Sequence, residues 1–124
     1  MKKCVLIYDD DHDILSVCKI ILSQHNYRVE TMTLNTDIIE DIGRLKPDVI
    51  LMDLWIPELG GEMAVDLVKN SKAAKHIPII LFSANTEIDE ISKRTKADGF
   101  LKKPFEIATM LHVLKAKISD GIAQ

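Results

Sequence analysis

Residues 47–53 read PDVILMD, and the fold turns on them. Pro47 stops a helix entering from the N-terminal side, and Val49–Met52 then form an unbroken apolar run closed by Asp53. A strand with one wet face alternates apolar and polar residues. A run with no alternation belongs to a strand covered on both faces, as in a parallel sheet flanked by helices. Cys4–Tyr8 and Ile77–Phe82 have the same character. Between these runs the apolar period lengthens to about 3.6: Ile14, Leu15, Cys18, Ile21 and Leu22 mark one helix, and Ile38, Ile39, Ile42 and Leu45 mark another. Further strands are expected near Tyr27–Met32 and Gly99–Leu101, with helices near Glu62–Ser71, Glu87–Thr95 and Ile107–Ile118. The last helix should place Ile107, Met110, Leu111, Leu114 and Ile118 on one face, leaving 119–124 as a polar tail. Strictly alternating strands and helices imply right-handed crossovers and a doubly wound α/β sheet.

The bulk properties narrow the function classes. With 124 residues, 47% of them hydrophobic, the chain suits one domain and one covered core, so residues 1–124 are expected to form a single domain. A formal charge of −3, from 16 basic and 19 acidic residues spread along the chain, indicates neither a nucleic-acid surface nor a polybasic membrane patch. Lys2 and Lys3 precede an apolar run too short for a signal peptide or a spanning helix, which predicts a cytoplasmic protein with no membrane insertion. Cys4 and Cys18 lie in apolar runs without ligand-like spacing and read as buried thiols.

Open parallel sheets bind ligands beyond the carboxyl ends of their strands. Asp9 and Asp10 follow the first strand, Asp53 the third, Ser83 the fourth, and Lys102 with Lys103 the fifth. All four strand ends therefore offer charged or hydroxyl groups to one crevice. Three carboxylates brought that close repel and call for a cation. A set of oxygen ligands without a His or Cys cluster selects a hard one, Mg²⁺ rather than a full Ca²⁺ cage. A carboxylate is also a competent nucleophile toward a phosphoryl group, whose equatorial oxygens a metal, a lysine and a hydroxyl would neutralise.

The blocks VLIYDDDHDIL (5–15), PDVILMDLWIPELGG (47–61), IPIILFSAN (77–85) and KADGFLKKPF (96–105) resemble, in order, the four signature blocks of response-regulator receiver domains. The 30 positions from Asp53 to Ser83 also agree with the chemotaxis receiver. The resemblance implies a flavodoxin-like (βα)5 fold with strand order 2-1-3-4-5. It implies that Asp53 is the phosphoacceptor and that Asp10, Asp53 and the backbone carbonyl of Trp55 bind Mg²⁺ directly, with Asp9 acting mostly through water. Ser83 and Lys103 would contact the phosphoryl group, with Lys103 preferred to Lys102 because it precedes Pro104, the family's proline after a cis peptide. Ser83 and Phe100 would form the conformational switch. The implied partners are a sensor histidine kinase or histidine phosphotransfer protein, and an output protein or domain reached through the face of the fourth helix, fifth strand and fifth helix. The implied activity is limited to the chain's own phosphorylation and dephosphorylation, so it is not an enzyme acting on a separate substrate.

Other residues take simpler readings. Asp11 and Asp13 are expected to cap or complement a helix start rather than extend the metal cluster. Gly60 and Gly61 suit a turn needing positive φ better than a phosphate cradle. His12, His25, His76 and His112 are scattered and read as surface or boundary residues. Trp55 is expected beside the site and partly exposed. Gly60 and Lys96 depart from common receiver residues, and the interval from Ser83 to Lys103 is shorter than in the chemotaxis receiver, which trims the segment Asn85–Lys96. That segment has two sizeable apolar side chains, Ile88 and Ile91, and should form a short, weakly held helix. A dehalogenase-type phosphatase would instead place its nucleophile in the first-strand pair Asp9 and Asp11. A flavin carrier would need a phosphate-binding loop of Gly, Ser and Thr after that strand. A receiver fold serving as a constitutive interaction module would not need the full set of acidic, hydroxyl and lysine residues.

Overall fold

The computed structural model describes residues 2–33, 37–55, 60–84 and 87–123. Five strands alternate with five helices: β1 Lys3–Tyr8, α1 His12–Gln24, β2 Tyr27–Met32, α2 Ile38–Leu45, β3 Val49–Asp53, α3 Gly61–Lys69, β4 Ile79–Ser83, α4 Ile88–Arg94, β5 Gly99–Lys102 and α5 Ile107–Ala123. The sheet is parallel throughout, with order β2-β1-β3-β4-β5. The unbroken apolar runs are the three inner strands, and every residue of β3 and β4 is buried.

Period-two geometry splits the core into two layers. Leu6, Tyr8, Ile50, Met52, Ile79 and Leu81 face α2, α3 and α4, meeting Ile38, Ile42, Val65, Val68, Ile88 and Ile91. Val5, Ile7, Val49, Leu51, Ile80 and Phe82 face α1 and α5, meeting Leu15, Cys18, Leu22, Met110, Leu114 and Ile118. Both cysteines are buried and unpaired, and burial pushes both thiols above their ordinary range. Among the described residues no helix is long and apolar enough to cross a membrane.

Several boundaries differ from the sequence reading. The fourth strand begins at Ile79 rather than Ile77, because Pro78 lacks an N–H for the ladder, although its carbonyl accepts from Ile50. Asp53, Ser83 and Lys102 are the last residues of their strands rather than the first residues beyond them. The final helix does not stop at Ile118. Its backbone runs on to Ala123, since a helix once nucleated adds a hydrogen bond per residue without needing an apolar partner. Ile107 does not join the buried stripe of that helix: it is 47% exposed, while Met110, Leu114 and Ile118 are buried. α4, with seven residues, is the shortest of the five helices, and its two isoleucines are its buried apolar anchors. An exposed bidentate ion pair, Arg94 with Glu62, joins it to the first turn of α3.

Candidate functional site

The carboxyl ends of β1, β3, β4 and β5 converge, and each supplies one part of a polar cluster. Asp9 follows β1 at 1% exposure, fixed through its own N–H to the Met32 carbonyl of β2. Its Oδ1 accepts the Asp11 N–H at 2.9 Å, and its Oδ2 accepts the Lys103 ammonium at 2.8 Å. Asp10, next in the chain, is exposed. Asp53 closes β3 and is 6% exposed, with its Oδ1 lying 3.6 Å from the Lys103 ammonium. Ser83 closes β4, buried, and its carbonyl accepts the Lys103 N–H at 2.9 Å.

One oxygen from each of Asp9, Asp10 and Asp53 lies within 4.8 Å of the others. At an effective dielectric of 20, unit charges at that separation repel by roughly 3.5 kcal/mol per pair. One lysine faces these three carboxylates, which leaves two negative charges uncompensated. A divalent cation with a preference for oxygen is the group that balances this count, and an all-oxygen donor set without thiolate or imidazole is chemically matched to Mg²⁺. Burial above all, and then the Asp9 carboxylate, push the Asp53 carboxyl above its ordinary value, against the pull of Lys103 and of the Trp55 backbone N–H.

The remaining residues singled out in the sequence fall around this cluster. Asp11 is not part of it: its carboxylate accepts from the N–H groups of Asp13 and Ile14 and caps α1, while Asp13 sits in the first helical turn. Lys102 is exposed, whereas the Lys103 side chain is 17% exposed and turned inward; the Lys103–Pro104 peptide is cis. Trp55, two residues after Asp53, leaves its indole 65% exposed. Gly60 has φ +83, and a Cβ on Gly61 would meet the Asp53 carbonyl oxygen and the Leu54 Cα at 2.8 Å. The two glycines therefore bring the chain back against β3. Phe100, on β5, is 36% exposed. The four histidines are all exposed. Asn85, where the trimmed segment begins, lies outside the described residues.

Two features have no counterpart in the sequence reading. The Phe82 ring lies beneath the Lys103 ammonium, 4.5 Å from it at the centroid. An aromatic residue immediately before Ser83 was the available signal. The second is a buried polar link away from the cluster. The Tyr8 hydroxyl donates to Asp41 of α2, which Arg44 also pairs at 3.2 Å, and burial with this hydrogen bond drives the phenol far above its ordinary value.

The family model described as "Response regulator receiver domain" matches residues 5–115. Among curated proteins, the chain is similar to the DNA-binding response regulator MtrA of Mycolicibacterium paratuberculosis, 23% identical over 120 residues that cover 95% of this chain and 52% of that protein. The chain thus spans about half the length of the curated relatives it matches. Among solved structures, it is similar to the chemotaxis response regulator CheY4 of Vibrio cholerae, with a TM-score of 0.85 and 28% identity, covering 94% of this chain and 99% of that one. It is also similar to the receiver domain of the sensor histidine kinase PA1611 of Pseudomonas aeruginosa PAO1, with a TM-score of 0.86 and 25% identity, covering 96% and 99% of the two chains. That receiver holds a magnesium ion coordinated in its active site cleft.

Proposed function

This chain belongs to the response regulator receiver family, a family of signalling domains rather than classical enzymes, and on that premise we propose that Asp53 is its phosphoacceptor. One observation carries the reading: Asp53 is a buried carboxylate that ends β3, the middle strand of the sheet, with a lysine 3.6 Å from its oxygen and two further carboxylates beside it, while both oxygens of the other buried one, Asp9, are already engaged by Lys103 and the Asp11 N–H. In the proposed reaction an Asp53 carboxylate oxygen attacks the phosphorus of a phosphohistidine on a sensor kinase or phosphotransfer protein. The P–N bond breaks, the imidazole nitrogen leaves with the electron pair, and an acyl phosphate remains on Asp53.

Asp10, Asp53 and the Trp55 carbonyl would hold Mg²⁺, with Asp9 supporting them. When bound, the ion supplies charge neutralisation for the transferring oxygens. The protein's own groups do the rest. Lys103 offers a cation within reach of both Asp9 and Asp53, and Ser83 offers a hydroxyl at the end of the neighbouring strand. Removing water from these groups makes each contact stronger than it would be at the surface. The acquired charge would then be read through Ser83 and Phe100 at the α4–β5–α5 face by an output protein or domain, with residues 1–124 acting as one receiver unit in the cytoplasm. The phosphatase alternative is disfavoured by Asp11, whose carboxylate is committed to capping α1. Mass spectrometry after treatment with acetyl phosphate and Mg²⁺ tests the reading. One added phosphoryl group is expected, absent in Asp53→Asn and absent when the cation is chelated; equal labelling of Asp53→Asn refutes it.

A further inference from the structure

The Lys103 ammonium has a neighbour that is neither carboxylate nor hydroxyl. While paired to Asp9 at 2.8 Å and Asp53 at 3.6 Å, it also sits over the face of Phe82. Phe82 is fully buried and stands opposite Asp53 in the β3–β4 register, and its carbonyl accepts the Leu54 N–H. The same ring meets Phe105 edge-on, with centroids 6.3 Å apart and planes at 68°. One side chain thus touches the segment Lys103–Phe105 at both of its ends. A cation over an aromatic face is attracted by the ring quadrupole, more strongly when little water competes. The Lys103 side chain meets that condition at 17% exposure.

The ring differs from the carboxylates in that phosphorylation would leave it unchanged. Charge at Asp53 would alter and Asp9 would give up the ammonium, whereas the Phe82 ring, fully buried in β4, keeps its face beneath Lys103 throughout. Lys103 needs such a partner, because a phosphoryl group on Asp53 would draw it off Asp9. We propose that Phe82 is a positioning residue, holding the Lys103 ammonium inside the site while it exchanges Asp9 for the phosphoryl oxygens. This rests on Asp53 being the phosphoacceptor.

The test is a double-mutant cycle on the initial rate of acetyl phosphate labelling of the full chain at saturating Mg²⁺, using wild type, Phe82→Leu, Lys103→Ala and the double variant. Phe82→Leu is expected to slow labelling roughly fivefold, as loss of a desolvated cation–ring contact implies, while Phe82→Tyr keeps the ring and stays near the wild-type rate. In the Lys103→Ala background, Phe82→Leu should cost nothing further. An equal fold-loss with and without the lysine overturns the proposal, as does a Mg²⁺ midpoint that weakens in step with the rate. NMR supplies a readout independent of labelling. The ε-methylene protons of Lys103 should be shifted upfield by the ring in wild type and return to ordinary values in Phe82→Leu, or in Phe82→Met should the leucine variant not fold. An unshifted ε-methylene in wild type overturns the proposal whatever the rates. A chain that shows the upfield signal yet takes no phosphoryl group refutes the phosphoacceptor reading instead, so the two failures are distinguishable.

Discussion

Replacing Asp53 by Asn should stabilise the metal-free protein at neutral pH. Asp53 is 6% exposed and lies within 4.8 Å of two other carboxylates. At an effective dielectric of 20, repulsion from Asp9 costs roughly 3.5 kcal/mol, and the attraction of Lys103 at 3.6 Å returns roughly 4.6 kcal/mol. Asp10 is exposed, and its repulsion is screened to about 1 kcal/mol. These terms nearly cancel, so burial decides the sign, and it opposes ionisation. A carboxyl whose folded value is raised contributes stability at pH below its unfolded value and loses it as pH rises through the folded value. Asparagine cannot ionise and suffers no such loss. The expected gain at pH 7 in chelator is about 1–2 kcal/mol, or roughly 4–8 °C in Tm for a chain of this size. The gap should close as the pH is lowered below about 4, where wild-type Asp53 is protonated too. Saturating Mg²⁺ should reverse the order: ligand at one hundred times its Kd adds about 2.7 kcal/mol to wild type, and the variant, short of one ligand, gains less. Thermal melts of both proteins across pH 3–8, with chelator and with Mg²⁺, provide the assay. A lower Tm for Asp53→Asn in chelator at pH 7, or a gap that persists unchanged to pH 3, refutes the reasoning.

Three further outcomes are expected. Because the exposed Trp55 indole lies two residues beyond Asp53, Mg²⁺ should change its emission and beryllofluoride should change it again; emission indifferent to both would place the indole away from the occupied site. Tyr8→Phe should lower stability by about 1–3 kcal/mol in urea titration, since it leaves the nearly buried Asp41 carboxylate without its hydroxyl donor, and an unchanged midpoint would deny that the link matters. Amides of α4 should exchange with deuterium faster than those of α1 and gain protection with Mg²⁺ and beryllofluoride, because seven residues rest on two buried isoleucines; protection matching α1 before activation would contradict this.

The inner strands were legible because burial on both faces removes polar residues altogether, so Val49–Met52 could be assigned without any long-range information. The strand-end residues were legible for a related reason: where the apolar run stops, the next side chain faces the crevice, as Asp53 and Ser83 do. The choice between Lys102 and Lys103 was less accessible, since period-two geometry puts neighbours on opposite sides and only the proline that follows tells them apart. What could not be read were contacts between distant elements. Tyr8 finds Asp41 across 33 positions, and Phe82 finds Lys103 through the β4–β5 pairing. Nor does periodicity report where a helix ends once its buried face is complete, so the extension of α5 beyond Ile118 went unseen, as did the exposure of Ile107 in its first turn.

Lys103 is tied to β4 by its main chain, through the Ser83 carbonyl, and to the ends of β1 and β3 by its side chain, through Asp9 and Asp53. In circuit terms it is a summing junction: charge added or removed at either of two strand ends arrives at the same ammonium. Such a node has no private inputs. Effects of substitutions at Asp9 and Asp53 should therefore fail to add, each one resetting the baseline against which the other is measured. The same wiring would let one small event, the proposed phosphoryl group on one Asp53 oxygen, be registered at once by several strands of the sheet.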